Sequence, residues 1–171
     1  KQAMYHFISG YTAKMAGTEA GVSEPVAAFS PCYGGPFLTL HPLKYAELLE
    51  KKLNQFNSQV YMVNTGWSGS SSISGSKRID LKLTKHIINL ITENKLDFSK
   101  TVKDKFFNFE IPLNIEGLDN NFLVPHKSWA NLEEYQSVGI MLTKLFNSNF
   151  KKYNISDPDI LGAGPLTNLS S

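Results

Sequence analysis

The sequence predicts an α/β fold, because helical and strand-like segments alternate along the chain. Three observations support this prediction. Apolar residues recur with the 3.6-residue period of a helix after Pro42, a short β-type run occupies residues 60–63, and residues 107–111 alternate apolar and polar side chains. The chain has 171 residues and is 42% hydrophobic, which is enough apolar material for the core of one domain. We therefore treat residues 1–171 as a single domain.

The first part of the chain predicts a strand, a long connection and a helix. Residues 4–8 form a short apolar run that predicts a strand, and residues 11–36 are rich in Gly, Thr, Ser and Pro. Residues 37–40 predict a brief extended segment. Pro42 suits the first turn of a helix, where no amide hydrogen is needed, and the helical spacing ends near Asn57.

The middle of the chain predicts a strand that leads into a flexible loop. We expect residues 60–63 to deliver residues 64–67 (NTGW) to the end of a strand, where ligands collect in α/β sheets. Residues 66–76 (GWSGSSSISGS) are rich in glycine and serine, and residues 78–81 predict an extended segment. Thr84 then stands at the start of an amphipathic helix.

The last part of the chain predicts one more strand and one long helix. Residues 107–111 have the period of a strand. Asn131 is followed three residues later by Glu134, a pair typical of the start of a helix. We expect the tail, residues 154–171, to be irregular because it contains several prolines and glycines.

Composition argues against several classes of partner. The net charge is +2, with no long run of like charges, so we expect neither nucleic acid nor a membrane as a partner. Cys32 is the only cysteine, which precludes an internal disulfide and favours a reducing, cytoplasmic location. The histidines lack the paired spacing of metal ligands, so we expect no metal site in this chain. They are His6, His41, His86 and His126.

The glycine and serine loop, followed by two cations, has the local chemistry of a nucleotide or phosphate contact. Arg78 fits either a solvated surface position or stacking and phosphate pairing at a strand end. Thr84 fits either an N-cap or a residue that faces a ligand. The long connection fits either a plain surface loop or a mobile lid. The residues alone leave these alternatives open.

Several segments, in order, resemble the ATP-dependent phosphoenolpyruvate carboxykinases. The resemblance spans most of the chain, from Met4 to about Tyr153, and points to the C-terminal part of their catalytic domain. It rests on residues 5–14 (YHFISGYTAK), 16–19 (AGTE), 24–25 (EP), 37–38 (FL), 40–42 (LHP), 45–47 (YAE), 63–67 (VNTGW) and 77–79 (KRI), and on Thr84.

The resemblance implies a mixed sheet with flanking helices and a parent enzyme that converts oxaloacetate and ATP to phosphoenolpyruvate, carbon dioxide and ADP with Mg²⁺ and Mn²⁺. It implies that Arg78, Ile79 and Thr84 contact the adenosine end of ATP. It also implies that residues 17–30, which begin with Gly17, Thr18 and Glu19, are a lid that closes over the substrates.

In the family, the phosphate loop, the metal ligands and the arginines that hold oxaloacetate precede the segment that this chain matches. We therefore expect the chain to be a fragment whose N-terminal partner is the rest of the same protein. We also expect it to be inactive alone, because phosphoryl transfer depends on positioning and charge neutralisation. A non-catalytic α/β binding or interaction module remains the alternative.

Overall fold

The computed structural model describes residues 1–14, 26–70 and 76–166. The α-helices in these ranges are α1 (Gln2–Ser9), α2 (Pro42–Phe56), α3 (Leu81–Thr92), α4 (Asn120–Leu123), α5 (Leu132–Lys151) and α6 (Pro158–Gly162). The strands are β1 (Tyr11–Lys14), β2 (Val26–Phe29), β3 (Trp67–Ser68), β4 (Lys77–Arg78), β5 (Asp97–Lys103) and β6 (Glu110–Asn114). Short 3₁₀ turns cover Pro31–Tyr33, Gly35–Phe37 and Pro125–Lys127.

The described elements confirm a mixture of α and β structure. The six strands pair as three antiparallel two-stranded sheets, β1 with β2, β3 with β4 and β5 with β6. The mixed sheet that the resemblance implies is therefore not formed by these strands. None of the described helices combines the length and the apolar character needed to cross a lipid bilayer.

The chain divides into two compact units. One comprises Lys1–Met62 together with the chain from Met141 onward, and the other is Val63–Ile140. The sequence predicts a single domain over residues 1–171, and the structure groups the contacts of this chain into these two units.

The core of the first unit forms around α1. The Tyr5 ring stacks on Phe150 with a centroid distance of 4.0 Å, and the Tyr5 hydroxyl donates to Asn147 Oδ1 at 3.3 Å. Burial raises the pKa of Tyr5 and lowers the pKa of His6 to about 4. Both side chains therefore stay neutral inside the core at pH 7, which avoids the cost of burying a charge.

Helix α2 starts and ends where the sequence predicts. Pro42 occupies the first turn, and His41 Nδ1 accepts from the backbone N–H of Leu43 at 3.3 Å. The His41 ring also bonds through Nε2 to the carbonyl oxygen of Tyr153 at 2.9 Å. Asn57 ends the helix in the left-handed conformation with φ +49°. His41 therefore caps the helix and ties it to the chain after α5.

The second unit contains a small aromatic core. Phe106 is 5% exposed and meets the edge of Tyr135 at a centroid distance of 5.4 Å, and Trp129 contacts the same ring at 5.5 Å. Burial, with a smaller contribution from Asp104, raises the pKa of Tyr135 to about 12. Asn131 Oδ1 accepts from the backbone N–H groups of Glu133 and Glu134, which confirms the predicted start of α5.

Four predicted segments differ from the structure in the first 63 residues. Residues 4–8 lie in α1, because Met4, Tyr5 and Ile8 follow helical spacing into the core. The connection over 11–36 contains β1, β2 and two 3₁₀ turns, one of which extends into the segment 37–40 that we predicted as extended. Residues 60–63 belong to none of the described strands, because no described strand pairs with them.

Three differences occur later in the chain. Only the start of residues 78–81 is extended, because β4 ends at Arg78 and α3 begins at Leu81. Asn108 takes a left-handed φ of +57° in the turn after β5, so the strand predicted at 107–111 begins at Glu110 instead. The tail that we predicted as irregular contains α6, whose N-cap Asp157 accepts from the N–H groups of Asp159 and Ile160.

Candidate functional site

A cleft lies in the second unit, where β4 leads into α3. It has a volume of about 490 Å³, within the range of about 300–1,000 Å³ typical of small-molecule sites. The residues that line it are Thr65, Lys77, Arg78, Ile79, Asp80, Leu81 and Thr84. The structure therefore brings Arg78, Ile79 and Thr84, the three residues that the sequence analysis selects, to a single cleft.

One wall of the cleft is built by the short hairpin of β3 and β4. Trp67 pairs with Arg78 and Ser68 pairs with Lys77 across the two strands. The N–H of Ile79 donates to the carbonyl oxygen of Gly66 at 2.9 Å, which extends the pairing by one residue beyond the strands. This pairing sets the position of Arg78 and Ile79 against the turn that contains Thr65.

The other wall is the first turn of α3. Asp80 is the N-cap, because its Oδ1 accepts from the backbone N–H of Lys82 at 2.8 Å. Of the two alternatives left open for Thr84, the N-cap does not hold, because Asp80 takes that position. Thr84 lies inside the first turn, where its N–H and its hydroxyl both donate to the carbonyl oxygen of Asp80, at 3.0 and 3.3 Å.

The position of Thr84 leaves its hydroxyl oxygen with acceptor capacity toward the cleft. A hydroxyl carries one donor and two acceptor lone pairs, and the donor is used within the helix. The alternative in which Thr84 faces a ligand is therefore geometrically available, since Thr84 lines the cleft.

The lining combines positive charge with apolar surface. Lys77 and Arg78 contribute two cations against the single carboxylate of Asp80, so the lining carries a formal charge of +1. Arg78 is the only arginine in the sequence, and it is exposed. Ile79 is 7% exposed and adds an apolar side chain. A cation beside an apolar contact and two threonine hydroxyls suits a ligand with a flat, polar-edged ring and an anionic group.

Four lining residues were not selected from the sequence. Thr65 belongs to the NTGW segment and Lys77 directly precedes Arg78, so position in the chain was the available signal for both. Asp80 and Leu81 line the cleft because α3 begins three residues earlier than predicted. The misplaced helix start therefore explains why they were missed.

The predicted lid is described only in part. Gly17, Thr18 and Glu19 lie outside the described residues, as does the rest of the segment up to residue 25. The part of 17–30 that the structure describes includes β2, which pairs with β1 in register from Tyr11 opposite Phe29 to Lys14 opposite Val26. Within the described ranges, no group of three His, Cys, Asp or Glu side chains converges to hold a metal ion.

The family model and the individual relatives that match this chain carry the same name. The phosphoenolpyruvate carboxykinase family model matches residues 1–121. Proteins named phosphoenolpyruvate carboxykinase (ATP) are 45% identical in Oceanobacillus iheyensis, 46% in Dictyostelium discoideum and 46% in Saccharomyces cerevisiae. The alignments cover 97%, 96% and 96% of this chain but 31%, 29% and 30% of the relatives.

The chain thus spans about a third of the length of these curated relatives. The family model matches well over half of the chain, and the relatives align along nearly all of it. The chain therefore belongs to the ATP-dependent phosphoenolpyruvate carboxykinase family.

Proposed function

We propose that this chain forms the adenosine-facing wall of the ATP site in a phosphoenolpyruvate carboxykinase. The whole protein converts oxaloacetate and ATP to phosphoenolpyruvate, carbon dioxide and ADP. The observation that supports this proposal is the cleft that brings Arg78, Ile79 and Thr84 together, since the family resemblance implies that these three residues contact the adenosine end of ATP.

Each of the three residues has a chemistry that suits adenosine. The planar guanidinium of Arg78 stacks on the purine or pairs with the nearest phosphate. Ile79 supplies apolar contact to the base. The Thr84 hydroxyl, which already donates within α3, accepts from a donor on the nucleotide.

The segment 17–30 acts in this proposal as the lid over the substrates. Its described part includes β2, which is anchored by pairing with β1 from Tyr11 opposite Phe29 to Lys14 opposite Val26. Closing the lid excludes water, which protects a reactive enolate from protonation.

Among the described residues, no three His, Cys, Asp or Glu side chains converge on a point where they could hold Mg²⁺ or Mn²⁺. When bound, the two ions neutralise charge on the transferring phosphoryl group. We assign their ligands, with the phosphate loop, to the remainder of the protein. The role of this chain is then to bind and orient the nucleotide.

The test replaces Arg78 in the full-length protein that carries this chain. Arg78→Ala removes a charged contact worth about 1.5–3 kcal/mol, so the KM for ATP should rise at least about tenfold while the KM for oxaloacetate changes less than about twofold. Arg78→Lys keeps the charge but loses the planar, forked guanidinium. Its KM for ATP should therefore lie between that of the unaltered protein and that of Arg78→Ala. Steady-state kinetics with each substrate varied in turn gives both values.

Lys100→Ala is the matched control. Lys100 lies in β5 in the same compact unit, is exposed and does not line the cleft. Its removal deletes the same unit of charge and should leave the KM for ATP unchanged. An unchanged KM for ATP in Arg78→Ala would remove Arg78 from the nucleotide site.

A further inference from the structure

We infer that Asn64 is a positioning residue for the nucleotide cleft, although its own side chain does not line it. The inference rests on the proposed function, because it concerns the same cleft. Asn64 begins the turn that connects to β3, and its side chain is bonded to the backbone at two points of that turn. Through these two bonds it holds the backbone that positions Ile79 and Arg78.

The first step is the geometry of the turn. Asn64 Oδ1 accepts from the backbone N–H of Gly66 at 2.9 Å, and Asn64 Nδ2 donates to the carbonyl oxygen of Trp67 at 3.0 Å. A backbone N–H only donates and a carbonyl only accepts, so these partners determine which way the amide points. An aspartate, leucine or alanine at this position could not make both bonds.

Backbone pairing connects the turn of residues 64–67 to the cleft. The carbonyl oxygen of Gly66 accepts from the N–H of Ile79 at 2.9 Å, and Trp67 pairs with Arg78 across the hairpin. The two backbone groups that Asn64 holds therefore belong to the two residues that position the cleft residues Ile79 and Arg78. Thr65, enclosed by the same turn, lines the cleft directly.

The Asn64 side chain contributes to the turn and not to the packing of the core. Asn64 is exposed, so removing its side chain opens no cavity in the core. The two hydrogen bonds of its side chain are local to residues 64–67. The effect of losing them should therefore fall mainly on the cleft that the turn supports.

The experiment measures the Kd for ATP, the KM for oxaloacetate and the midpoint of thermal unfolding in the full-length protein. Asn64→Ala loses both bonds and should raise the Kd for ATP about five- to tenfold. Asn64→Ser keeps an acceptor for the Gly66 N–H but cannot reach the Trp67 carbonyl, so its Kd should rise about two- to threefold. The KM for oxaloacetate should stay within about twofold of the original in both variants.

Asn89→Ala is the control, because Asn89 is an exposed asparagine of α3 in the same unit and does not line the cleft. Its Kd for ATP should equal that of the unaltered protein. If Asn64→Ala fails to fold, Asn64→Ser decides the question by the same measurements. An unchanged Kd for ATP in the folded Asn64 variant overturns the inference. An equal fold-increase in the Kd for ATP and in the KM for oxaloacetate also overturns it.

The outcomes also separate this inference from the proposed function. If Arg78→Ala weakens ATP binding and the Asn64 variants do not, the nucleotide site stands and the role of Asn64 is wrong. If neither residue affects ATP binding, the proposed function itself is wrong.

Discussion

Gly139 lies inside α5, where glycine ordinarily weakens a helix because it gives up more backbone freedom on folding than alanine does. A Cβ built at this position would lie 2.4 Å from two atoms of the Phe106 ring. That ring is buried and rests against Tyr135, so it has little room to move aside. The glycine is therefore required by close packing, despite its cost to the helix.

We expect Gly139→Ala to destabilise the chain by about 1–3 kcal/mol, the usual cost of overpacking a core. Urea unfolding, followed by circular dichroism, measures the change. Gly162→Ala is the matched control, because a Cβ at Gly162 would meet no atom within 4 Å. That variant should be neutral or up to about 1 kcal/mol more stable. Equal or greater stability for Gly139→Ala would show that the predicted clash with Phe106 is absent.

At the scale of single elements, α3 shows how a helix start controls the site. Asp80 and Thr84 are both residue types that cap helices, and they stand four positions apart. The structure uses Asp80, whose Oδ1 accepts from the Lys82 N–H, and this choice turns Thr84 inward as a cleft residue. The start of α3 at a single N-cap therefore places Thr84 in the first turn, where it lines the cleft.

Asp80→Ala should destabilise the chain by about 0.5–2 kcal/mol, because it removes the side chain that satisfies the first turn of α3. Thr84→Val keeps the shape of the side chain and loses only the hydroxyl, whose bond to the Asp80 carbonyl is long at 3.3 Å. We expect Thr84→Val to destabilise the chain clearly less than Asp80→Ala does. Urea unfolding of the two variants side by side provides the comparison, and a larger loss for Thr84→Val would restore Thr84 as the cap.

The elements that the sequence predicts well carry their own local signals. Pro42 and Asn57 mark the two ends of α2, and Asn131 marks the start of α5, because capping and left-handed positions depend on residues close in sequence. Residues 4–8 show where local sequence signals fail to distinguish a strand from a helix. A five-residue apolar run fits either a strand or a buried helix turn, and only the packing of Tyr5 against Phe150 decides for the helix.

Residues 60–63 illustrate a second limit. Their β-type composition predicts a strand, but strand preference reflects packing against neighbours more than an intrinsic backbone preference. None of the described strands pairs with them, and Val60 and Met62 are 50% and 55% exposed. The cleft was more predictable: its three selected residues lie within seven positions of one another, so a hairpin followed by a helix brings them together.

At the scale of the whole molecule, the chain supplies part of a larger arrangement. It spans about a third of the length of its curated relatives, and its described residues form a cleft with a net positive lining beside the turn of residues 64–67. Phosphoryl transfer needs the nucleotide and the second substrate held so that the attacking and leaving oxygens are in line, with metal ions neutralising the phosphate charge. We propose that this chain performs one of these tasks, the binding of adenosine, at the cleft lined by Arg78, Ile79 and Thr84.

Photolabelling tests this location most directly. The full-length protein is irradiated with 8-azido-ATP, digested and analysed by mass spectrometry for the residues that carry the label. We expect label within residues 63–84, lost when excess ATP competes and strongly reduced in Arg78→Ala. Label that ATP displaces but that lies entirely outside residues 63–84 would contradict it.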